Sequence, residues 1–338
     1  MLRLSLRRGV VVTAVFTATA VLTGGAAASA CDPRTLPIAG ATAVRAADGS
    51  YQLSWSPAGD VRSASVYAAT HPIEKAQDGK LVAKDAAGAA TVTGLAPTSR
   101  WYFTIVPVAA KLGEGVAAKL VNLEGVNNAR DLGGYPAAGG LRIRWGTIFR
   151  SARLTPATTT GREEIAGLGI KDDLDFRSTA EATAEGPDPI PAGVTHVAEP
   201  VGDPDQAVPP DPNTPPSTGD LIADNYRLLV SNPNLGHQFT DALAHIADAR
   251  QRPLLYHCTG GNHRTGWMTV ILLKVLGVSD DVIRQDYLMS SGTTIGYLDA
   301  GYDQVARDYG SFPAYLTALG ITDQLTRQLR TALLEAPR

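Results

Sequence analysis

The sequence predicts two folded domains, an N-terminal all-β sandwich and a C-terminal α/β domain with a central, mostly parallel sheet. From about residue 39 to residue 123, short alternating apolar runs are separated by turn residues, which is typical of a sandwich. Beyond that point, strand-like runs alternate with longer helix-like runs, which indicates a parallel sheet covered by helices. The length of 338 residues fits two domains once an N-terminal export segment is set aside.

Residues 1–30 have the features of an export signal. Three arginines precede an apolar core at 10–22, and Gly24-Gly25 ends that core too early for a membrane-spanning helix. Small residues at 28–30 form a cleavage site, and Cys31 follows it directly. We therefore predict a secreted or cell-surface protein. A lipid on Cys31, as in bacterial lipoproteins, is an open alternative and the one expected route of attachment to a membrane.

Charge and composition exclude several classes of function. Without the three arginines of the signal, 27 basic residues face 33 acidic ones, a net charge of −6, and no basic run occurs. This argues against nucleic acid or an anionic membrane as the main partner. Two cysteines cannot form a disulfide framework in a chain this long, and the six histidines show no metal-site spacing. We predict neither a metal nor another cofactor.

The first domain, predicted over 38–122, contains four clear strand patterns. These runs lie at 51–55, 64–68, 90–93 and 101–108, with Trp55 and Trp101 expected in the core. The segment resembles a fibronectin type III domain, through Leu-Ser-Trp-Ser-Pro at 53–57 and Leu-Ala-Pro at 95–97 followed by an aromatic strand. Trp101 stands where that family usually has a tyrosine whose hydroxyl bonds the backbone. A partner could bind this domain, and nothing in it suggests chemistry.

The stretch 254–276 carries the clearest functional signal. An apolar run after Pro253 predicts a buried strand, a glycine-bearing polar loop follows, and a long apolar run predicts a buried helix. Backbone N–H groups and the helix dipole converge on such a loop, which suits an anion. Cys258 begins the loop and Arg264 ends it.

Each residue type in the loop suits phosphate chemistry. Cys258 would be a nucleophilic thiolate, because converging N–H groups and a guanidinium favour its charged form. Arg264 offers a planar fork of donors for two phosphate oxygens. The alternative, an inert buried cysteine, would not explain the surrounding pattern. The other residues predicted to bind phosphate are Thr259, Gly260, Gly261, Asn262, His263 and Thr265.

Residues 257–266 resemble the phosphate loop of the cysteine-dependent protein tyrosine phosphatases, and especially a bacterial family whose loop usually reads His-Cys-Thr-Ala-Gly-Lys-Asp-Arg-Thr-Gly. Gly260 replaces the alanine, Asn262 the lysine and His263 the aspartate. The resemblance implies hydrolysis of phosphomonoesters, preferentially phosphotyrosine, through a phosphocysteine intermediate. The missing lysine charge argues against phosphoinositides. The resemblance covers the second domain, predicted over 123–338.

Other parts of the second domain resemble the same family. The entry segment 125–135 does so, and there Arg130 and Asp131 are expected to form an ion pair or a turn cap rather than to act in catalysis. The segment Asp-Phe-Arg-Ser at 175–178, followed by Glu181, resembles the family's Asp-Leu-Arg-Ser, which implies that Asp175 is the proton donor.

Several alternatives remain open in the sequence. Asp173 and Asp175 could be solvated residues at a strand end. The segment 200–219, rich in proline, aspartate and threonine, predicts a long mobile loop, and Asp203 or Asp205 on it could be the acid instead. Helices are expected at 160–168, capped by Thr160, and at 322–335.

Three functions follow from these observations. The favoured one is a phosphatase that acts on a phosphorylated protein or a small phosphate ester. A sulfurtransferase would also place a cysteine in an anion-binding loop. A cell-surface binding protein would use the sandwich and keep the second domain as a degenerate scaffold, but the intact Cys258 and Arg264 argue against it.

Overall fold

The computed structural model describes residues 38–336, except 47, 58–60, 72, 74–75, 97–100, 109–120, 122, 203–217 and 291. The predicted export segment, Cys31, Asp203 and Asp205 therefore lie outside the described residues.

Six strands form two antiparallel sheets in the N-terminal part. One sheet has the order β1-β2-β5 and the other β4-β3-β6. The four strands predicted from alternation are confirmed, and β1 and β4 are two strands that were not predicted. Their bounds are β1 Ile38–Arg45, β2 Tyr51–Pro57, β3 Ala64–Ala69, β4 Lys80–Ala86, β5 Ala89–Val92 and β6 Tyr102–Pro107.

A single apolar cluster lies between these sheets. Tyr51, Leu53 and Trp55 alternate along β2 and bury their side chains, and they share the cluster with Val66 and Ile105. Successive side chains of a strand point to opposite faces, so this alternation gives β2 one buried face.

Trp101 makes a side-chain hydrogen bond to the backbone. Its indole N–H donates to the carbonyl oxygen of Ala96 at 2.9 Å. The indole packs against the sandwich core and is partly buried, as predicted. The likeness to fibronectin type III itself stays a prediction.

The second domain is built on a five-stranded sheet in the order β11-β10-β12-β9-β7. The first four strands run parallel and β7 is antiparallel, which confirms the predicted mostly parallel sheet. A short β13 pairs with β8 outside this sheet. The bounds are β7 Arg130–Asp131, β8 Arg142–Ile143, β9 Ile148–Ala152, β10 Asp172–Asp175, β11 Thr195–Ala198, β12 Leu254–Cys258 and β13 Leu334–Glu335.

Nine helices are described in this domain. They are α1 Thr159–Gly167, α2 Thr179–Glu185, α3 Leu221–Ser231, α4 Pro233–Ala247, α5 Arg264–Leu276, α6 Asp280–Leu288, α7 Ile295–Tyr309, α8 Phe312–Ala318 and α9 Asp323–Leu333. Within the described ranges, none of them is long and apolar enough to cross a membrane.

The central strand β12 divides two apolar cores. Leu254 and Tyr256 belong to a large core that helices α3–α9 complete, whereas Leu255 belongs to a smaller core with α1. Both faces of β12 are therefore buried, which explains its continuous apolar run. The strand ends at the edge of the sheet where Cys258 leads into α5.

Two local predictions were wrong. Thr158, rather than Thr160, caps α1, and its hydroxyl accepts from the N–H of Gly161 at 3.1 Å. The C-terminal helix ends at Leu333, because the next two residues pair with β8 as strand β13.

Candidate active site

The predicted phosphate loop lies between the end of β12 and the start of α5. Cys258 is the last residue of the strand and is only 3% exposed, and Arg264 is the first residue of the helix. Burial alone would raise the pKa of the Cys258 thiol. The charge of Arg264 and hydrogen bonding from Thr265 and the Gly261 backbone outweigh it and lower that pKa. The arrangement favours a thiolate at the helix N-terminus.

The two loop glycines have different roles. Gly261 has φ +68°, and a Cβ there would lie 2.6 Å from the carbonyl oxygen of Ser151 and the nitrogen of Ala152. Only glycine fits such a backbone conformation and approach without strain. Gly260 has no positive φ, and a Cβ there would meet only Asn262, at 3.8 Å. The left-handed backbone conformation is therefore needed at Gly261 and not at Gly260.

Glu181 holds the guanidinium of Arg264. Its two carboxylate oxygens accept from Nη1 and Nη2 of Arg264, each at 2.6 Å, and one also accepts from the Thr259 hydroxyl at 2.8 Å. Arg264 donates further to the carbonyl of Phe176 at 3.1 Å. Burial alone would raise the pKa of Glu181, but Arg264 and the N–H of Ser178 lower it to about 2.

Local sequence explains where Glu181 lies. The side chain of Ser178 accepts from the Glu181 N–H at 3.1 Å, and Glu181 accepts from the Ser178 N–H at 2.8 Å. This reciprocal capping box starts α2. Its Ser-x-x-Glu spacing was readable in the sequence, but the contact with Arg264 was not.

Two side chains fix the carbonyl groups of the loop. Arg150 donates from Nη2 to the carbonyl of Gly261 at 2.7 Å. Asn128 donates to the carbonyl of Gly260 at 2.8 Å and to Oδ1 of Asn262 at 2.5 Å. These bonds engage the carbonyl oxygens of Gly260 and Gly261, which suits a loop whose N–H groups bind an anion.

A buried ionic group, which we call the arginine cluster, lies behind the loop. It consists of Arg130, Arg150 and Asp286, all at most 1% exposed. Asp286 accepts from Arg130 Nε at 2.9 Å and from Arg150 Nη1 at 2.9 Å, and also from the hydroxyl of Tyr135. Burial alone would raise the pKa of Asp286, but the two guanidinium groups hold it far below its ordinary value.

The structural interpretation of the entry segment is confirmed. Arg130 forms the ion pair with Asp286. Asp131 caps a turn, accepting from the N–H groups of Gly133 and Gly146 at 2.8 Å each.

The predicted proton donor Asp175 is placed in a buried ion pair. Its carboxylate, 2% exposed, accepts from the backbone N–H of Arg177 at 2.9 Å and from the Arg177 guanidinium at 2.7–3.0 Å. It is an acceptor in all of these bonds, whereas a general acid must donate a proton. These contacts argue against the predicted role, which would require Arg177 to release the carboxylate first. The alternative of a solvated strand end is wrong, since Asp173 is also buried.

Asp175 belongs to a second ionic group, the carboxylate cluster. It consists of Asp173, Asp175 and Asp188 together with Arg177, His257 and His196. Burial alone would lower the pKa of the His257 imidazole, but Asp173 and its fellow carboxylates outweigh it and raise that pKa well above its ordinary value.

The remaining predicted loop residues are also brought together. His263 lies between the rings of Tyr226 and Tyr297, with centroid distances of 5.8 and 6.5 Å. Burial and the charge of Arg264 lower the pKa of His263. Thr265 is fully buried in the first turn of α5.

The comparison with known families agrees with this geometry. The sequence profile of the tyrosine phosphatase family matches residues 121–295, more than half of the chain. A Cupriavidus necator protein, named as a tyrosine-protein phosphatase, is 32% identical over 200 residues, which cover 57% of this chain and 71% of that protein. The chain therefore belongs to the tyrosine phosphatase family and is a phosphatase of that type.

More distant relatives are also phosphatases by name. The triple specificity protein phosphatase PtpB of Mycobacterium tuberculosis is 25% identical over 283 residues, covering 63% of this chain and 98% of that protein. Among solved structures, the Siw14 catalytic core has 18% identity and a TM-score of 0.31, covering 52% of this chain and 86% of that chain. That TM-score is too low to support a shared fold.

Proposed function

We propose that this chain is an exported phosphatase that hydrolyses phosphomonoesters, preferentially phosphotyrosine, with Cys258 as nucleophile and Arg264 as the phosphate ligand. The observation that carries the proposal is the buried Cys258 on a loop that opens α5, with the fork of Arg264 oriented by Glu181. The membership of the tyrosine phosphatase family supports the same chemistry.

In the proposed reaction, Sγ of Cys258 attacks phosphorus in line with the ester oxygen. The S–P bond forms as the P–O bond breaks, and the leaving alcohol takes up a proton that is returned when water attacks in the second step. Water then attacks phosphorus, the S–P bond breaks, and inorganic phosphate leaves while the thiolate is restored. Arg264 and the loop N–H groups would stabilise the charge on the equatorial oxygens in both steps.

Substrate preference is proposed from the loop and its surroundings. Asn262 supplies an amide where the resembling family has a lysine charge, and its Oδ1 is engaged by Asn128. A site with one cation fewer favours a monoester over a polyanionic inositol phosphate. The triple specificity in the name of PtpB belongs to that protein, so the test here compares several classes of phosphate ester.

The test is turnover of phosphotyrosyl and phosphoseryl peptides, a phosphoinositide and p-nitrophenyl phosphate by wild type and two variants. Cys258→Ser should abolish turnover of every substrate while vanadate still binds. Arg264→Lys should lose most of the activity, because an ammonium cannot bridge two oxygens. Cys31→Ser and Arg250→Lys are the matched controls, since Arg250 is 90% exposed and paired with Asp248.

Three results would contradict the proposal. Turnover by Cys258→Ser would exclude the nucleophile, and thiocyanate formation from cyanide without ester hydrolysis would indicate a sulfurtransferase. A phosphoinositide preferred over the phosphotyrosyl peptide would refute the substrate class. Export is tested by fractionation, with Cys31→Ser releasing the protein only if a lipid anchors it.

A further inference from the structure

Three side chains that could ligate a metal ion meet beside the end of β12, within the carboxylate cluster. Asp173 lies on β10, His257 on β12, and Asp188 in the segment after α2. One nitrogen or oxygen from each lies within 4.8 Å of the other two. They are far apart in the sequence, so no spacing pattern could have indicated them.

Two of the three separations between these atoms match those of ligands on one ion. Nε2 of His257 lies 3.2 Å from Oδ1 of Asp173 and 3.3 Å from Oδ2 of Asp188. Tetrahedral zinc has ligands at about 2.0–2.1 Å, which places neighbouring ligand atoms roughly 3.3–3.4 Å apart. Histidine nitrogen and carboxylate oxygen are both ordinary zinc ligands.

Two of the three atoms lack a hydrogen bond. Among the residues that the structure describes, Oδ1 of Asp173 and Nε2 of His257 have no partner of acceptable geometry, although they face each other. Both side chains are fully buried, where an unpaired polar atom costs free energy. A bound cation would satisfy both atoms at once.

The outer contacts are those that support metal ligands. Nδ1 of His257 lies 3.4 Å from the carbonyl of Cys258, and Nδ1 of His196 lies 3.2 Å from the second oxygen of Asp173. The guanidinium of Arg177 donates to Oδ2 of Asp188, the oxygen that faces His257, so this oxygen would be shared between Arg177 and the ion. Ligating histidines usually donate from their other nitrogen, and ligating carboxylates are hydrogen-bonded in turn.

The formal charges point to a divalent ion. Asp173, Asp175 and Asp188 carry three negative charges, and Arg177 supplies one positive charge within the cluster. Two positive charges are missing if both histidines are neutral. A divalent cation supplies them, and so would two protonated histidines, which is the competing arrangement.

We propose that Asp173, Asp188 and His257 bind one divalent transition-metal ion of the zinc class, with His196 supporting Asp173. The side chain of His196 is 41% exposed and gives the ion a path from solvent. The ion has no part in phosphoryl transfer. It fixes His257, the residue before Cys258, and so stabilises the end of β12. The proposal is independent of the substrate and survives if the chain is not a phosphatase.

The experiment measures metal binding to untagged, full-length Cys258→Ser protein, in which the reactive sulfur cannot be the ligand. After treatment with a chelator, the protein is dialysed against Zn²⁺ or Co²⁺. We expect about one equivalent of bound metal, a tetrahedral Co²⁺ absorption spectrum and a higher Tm than that of the chelator-treated protein. No stoichiometric binding, or no change in Tm, overturns the proposal and favours the two protonated histidines.

Variants locate the site. Asp188→Asn keeps the oxygen that accepts from the N–H of Leu154 at 3.1 Å but removes the charge, and it should abolish binding. His196→Gln should weaken binding roughly 10–100-fold by removing a supporting contact. His245→Gln, a histidine paired with Glu199 outside the cluster, should bind as the parent does. Equal binding by Asp188→Asn overturns the assignment.

A second measurement does not depend on the variants folding. X-ray absorption of the Zn²⁺-loaded Cys258→Ser protein should show one imidazole and only oxygen ligands besides. Several imidazoles, or a sulfur ligand, would place the ion elsewhere and refute the site.

Discussion

The arginine cluster and the carboxylate cluster border the same loop, yet their net charges have opposite signs. In the arginine cluster, two guanidinium groups share the single carboxylate of Asp286, so one positive charge remains. The thiolate of Cys258 interacts electrostatically with Arg150 and can balance that charge. In the carboxylate cluster, three carboxylates share one guanidinium.

This difference assigns separate tasks to the two groups. A buried excess of positive charge beside the loop favours the thiolate and any anion that the loop binds. A buried excess of negative charge cannot serve an anion site, so it must be balanced by its own protons or by a cation. The arginine cluster should therefore lose more stability than the carboxylate cluster when one carboxylate is removed.

The largest effect is expected for Asp286→Asn. Removing the only carboxylate of the arginine cluster leaves two buried guanidinium groups uncompensated, and breaking a buried pair in this way costs about 3–5 kcal/mol. The measurement is the free energy of unfolding in denaturant. The matched control is Asp299→Asn, whose partner Arg284 lies in a more exposed pair and should lose less than about 1 kcal/mol. Equal losses in the free energy of unfolding for the two variants would show that burial does not make the ion pairs of Asp286 more important for stability.

Arg150→Met should reduce activity more than stability. Asp286 keeps Arg130 as a partner, but the carbonyl of Gly261 loses its donor and the thiolate loses a nearby charge. We expect kcat/KM to fall by roughly a hundredfold, since small misplacements of reacting groups cost that much. The midpoint of the pH dependence of Cys258 alkylation should rise.

Arg130→Met is the control for that prediction. It removes the other guanidinium, whose contacts with the loop run only through the carbonyl of Asn128. A loss of activity as large as that of Arg150→Met would mean that general weakening of the cluster, rather than the contact with Gly261, explains the effect.

Glu181→Gln tests the ion pair between Glu181 and Arg264, which is partly open to solvent. The folded-state pKa of about 2 lies below the ordinary value of 4.5. The carboxylate therefore stabilises the fold above about pH 4.5, and this stabilisation is lost as pH falls from there towards 2. The variant should show a weaker loss of Tm across that window. Its kcat/KM should fall roughly tenfold, because Arg264 loses the group that orients it. Parallel acid denaturation of the two proteins would contradict the pairing.

The sequence predicted the parts of the site that lie within one short stretch. Cys258 and Arg264 stand five residues apart between a strand and a helix, so their convergence follows from local structure alone. Their partners Glu181, Asp286 and Arg150 come from other elements, and only the folded sheet brings them to the loop. Neither the contact of Glu181 with Arg264 nor the net charge of each cluster could be predicted from the sequence.

Errors in the predicted elements have equally local causes. Three consecutive threonines at 158–160 can each cap a helix, and the extended backbone of Thr158 decides which one does. The last helix was predicted too long because Leu334 continues its apolar pattern, whereas pairing with β8 makes Leu334 and Glu335 a strand. The proposed metal ligands Asp173, Asp188 and His257 were not predicted, because they lie far apart in the sequence and form no recognisable ligand motif.

Asp175→Asn should have the smallest effect of these substitutions on stability. Its comparison with Asp286→Asn is the most direct test of the difference between the two clusters. Arg177 keeps Asp188 and Glu185 as partners, and the new amide keeps an oxygen for the N–H of Arg177. The substitution also removes one of the excess negative charges of the carboxylate cluster. We expect a loss of at most about 2 kcal/mol in the free energy of unfolding, below that of Asp286→Asn.

The same variant decides the role of Asp175 in catalysis. Because its carboxylate is bound to Arg177, we expect turnover to fall by a similar small factor for esters of good and poor leaving groups. A general acid would behave differently, since it contributes on the order of 10²–10⁴-fold and matters most for alcohols that leave poorly. The measurement is kcat/KM for aryl phosphates of graded leaving-group pKa, with Asp203→Asn and Asp205→Asn in parallel. A loss confined to poor leaving groups in Asp175→Asn would restore it as the acid and show that Arg177 releases it during turnover.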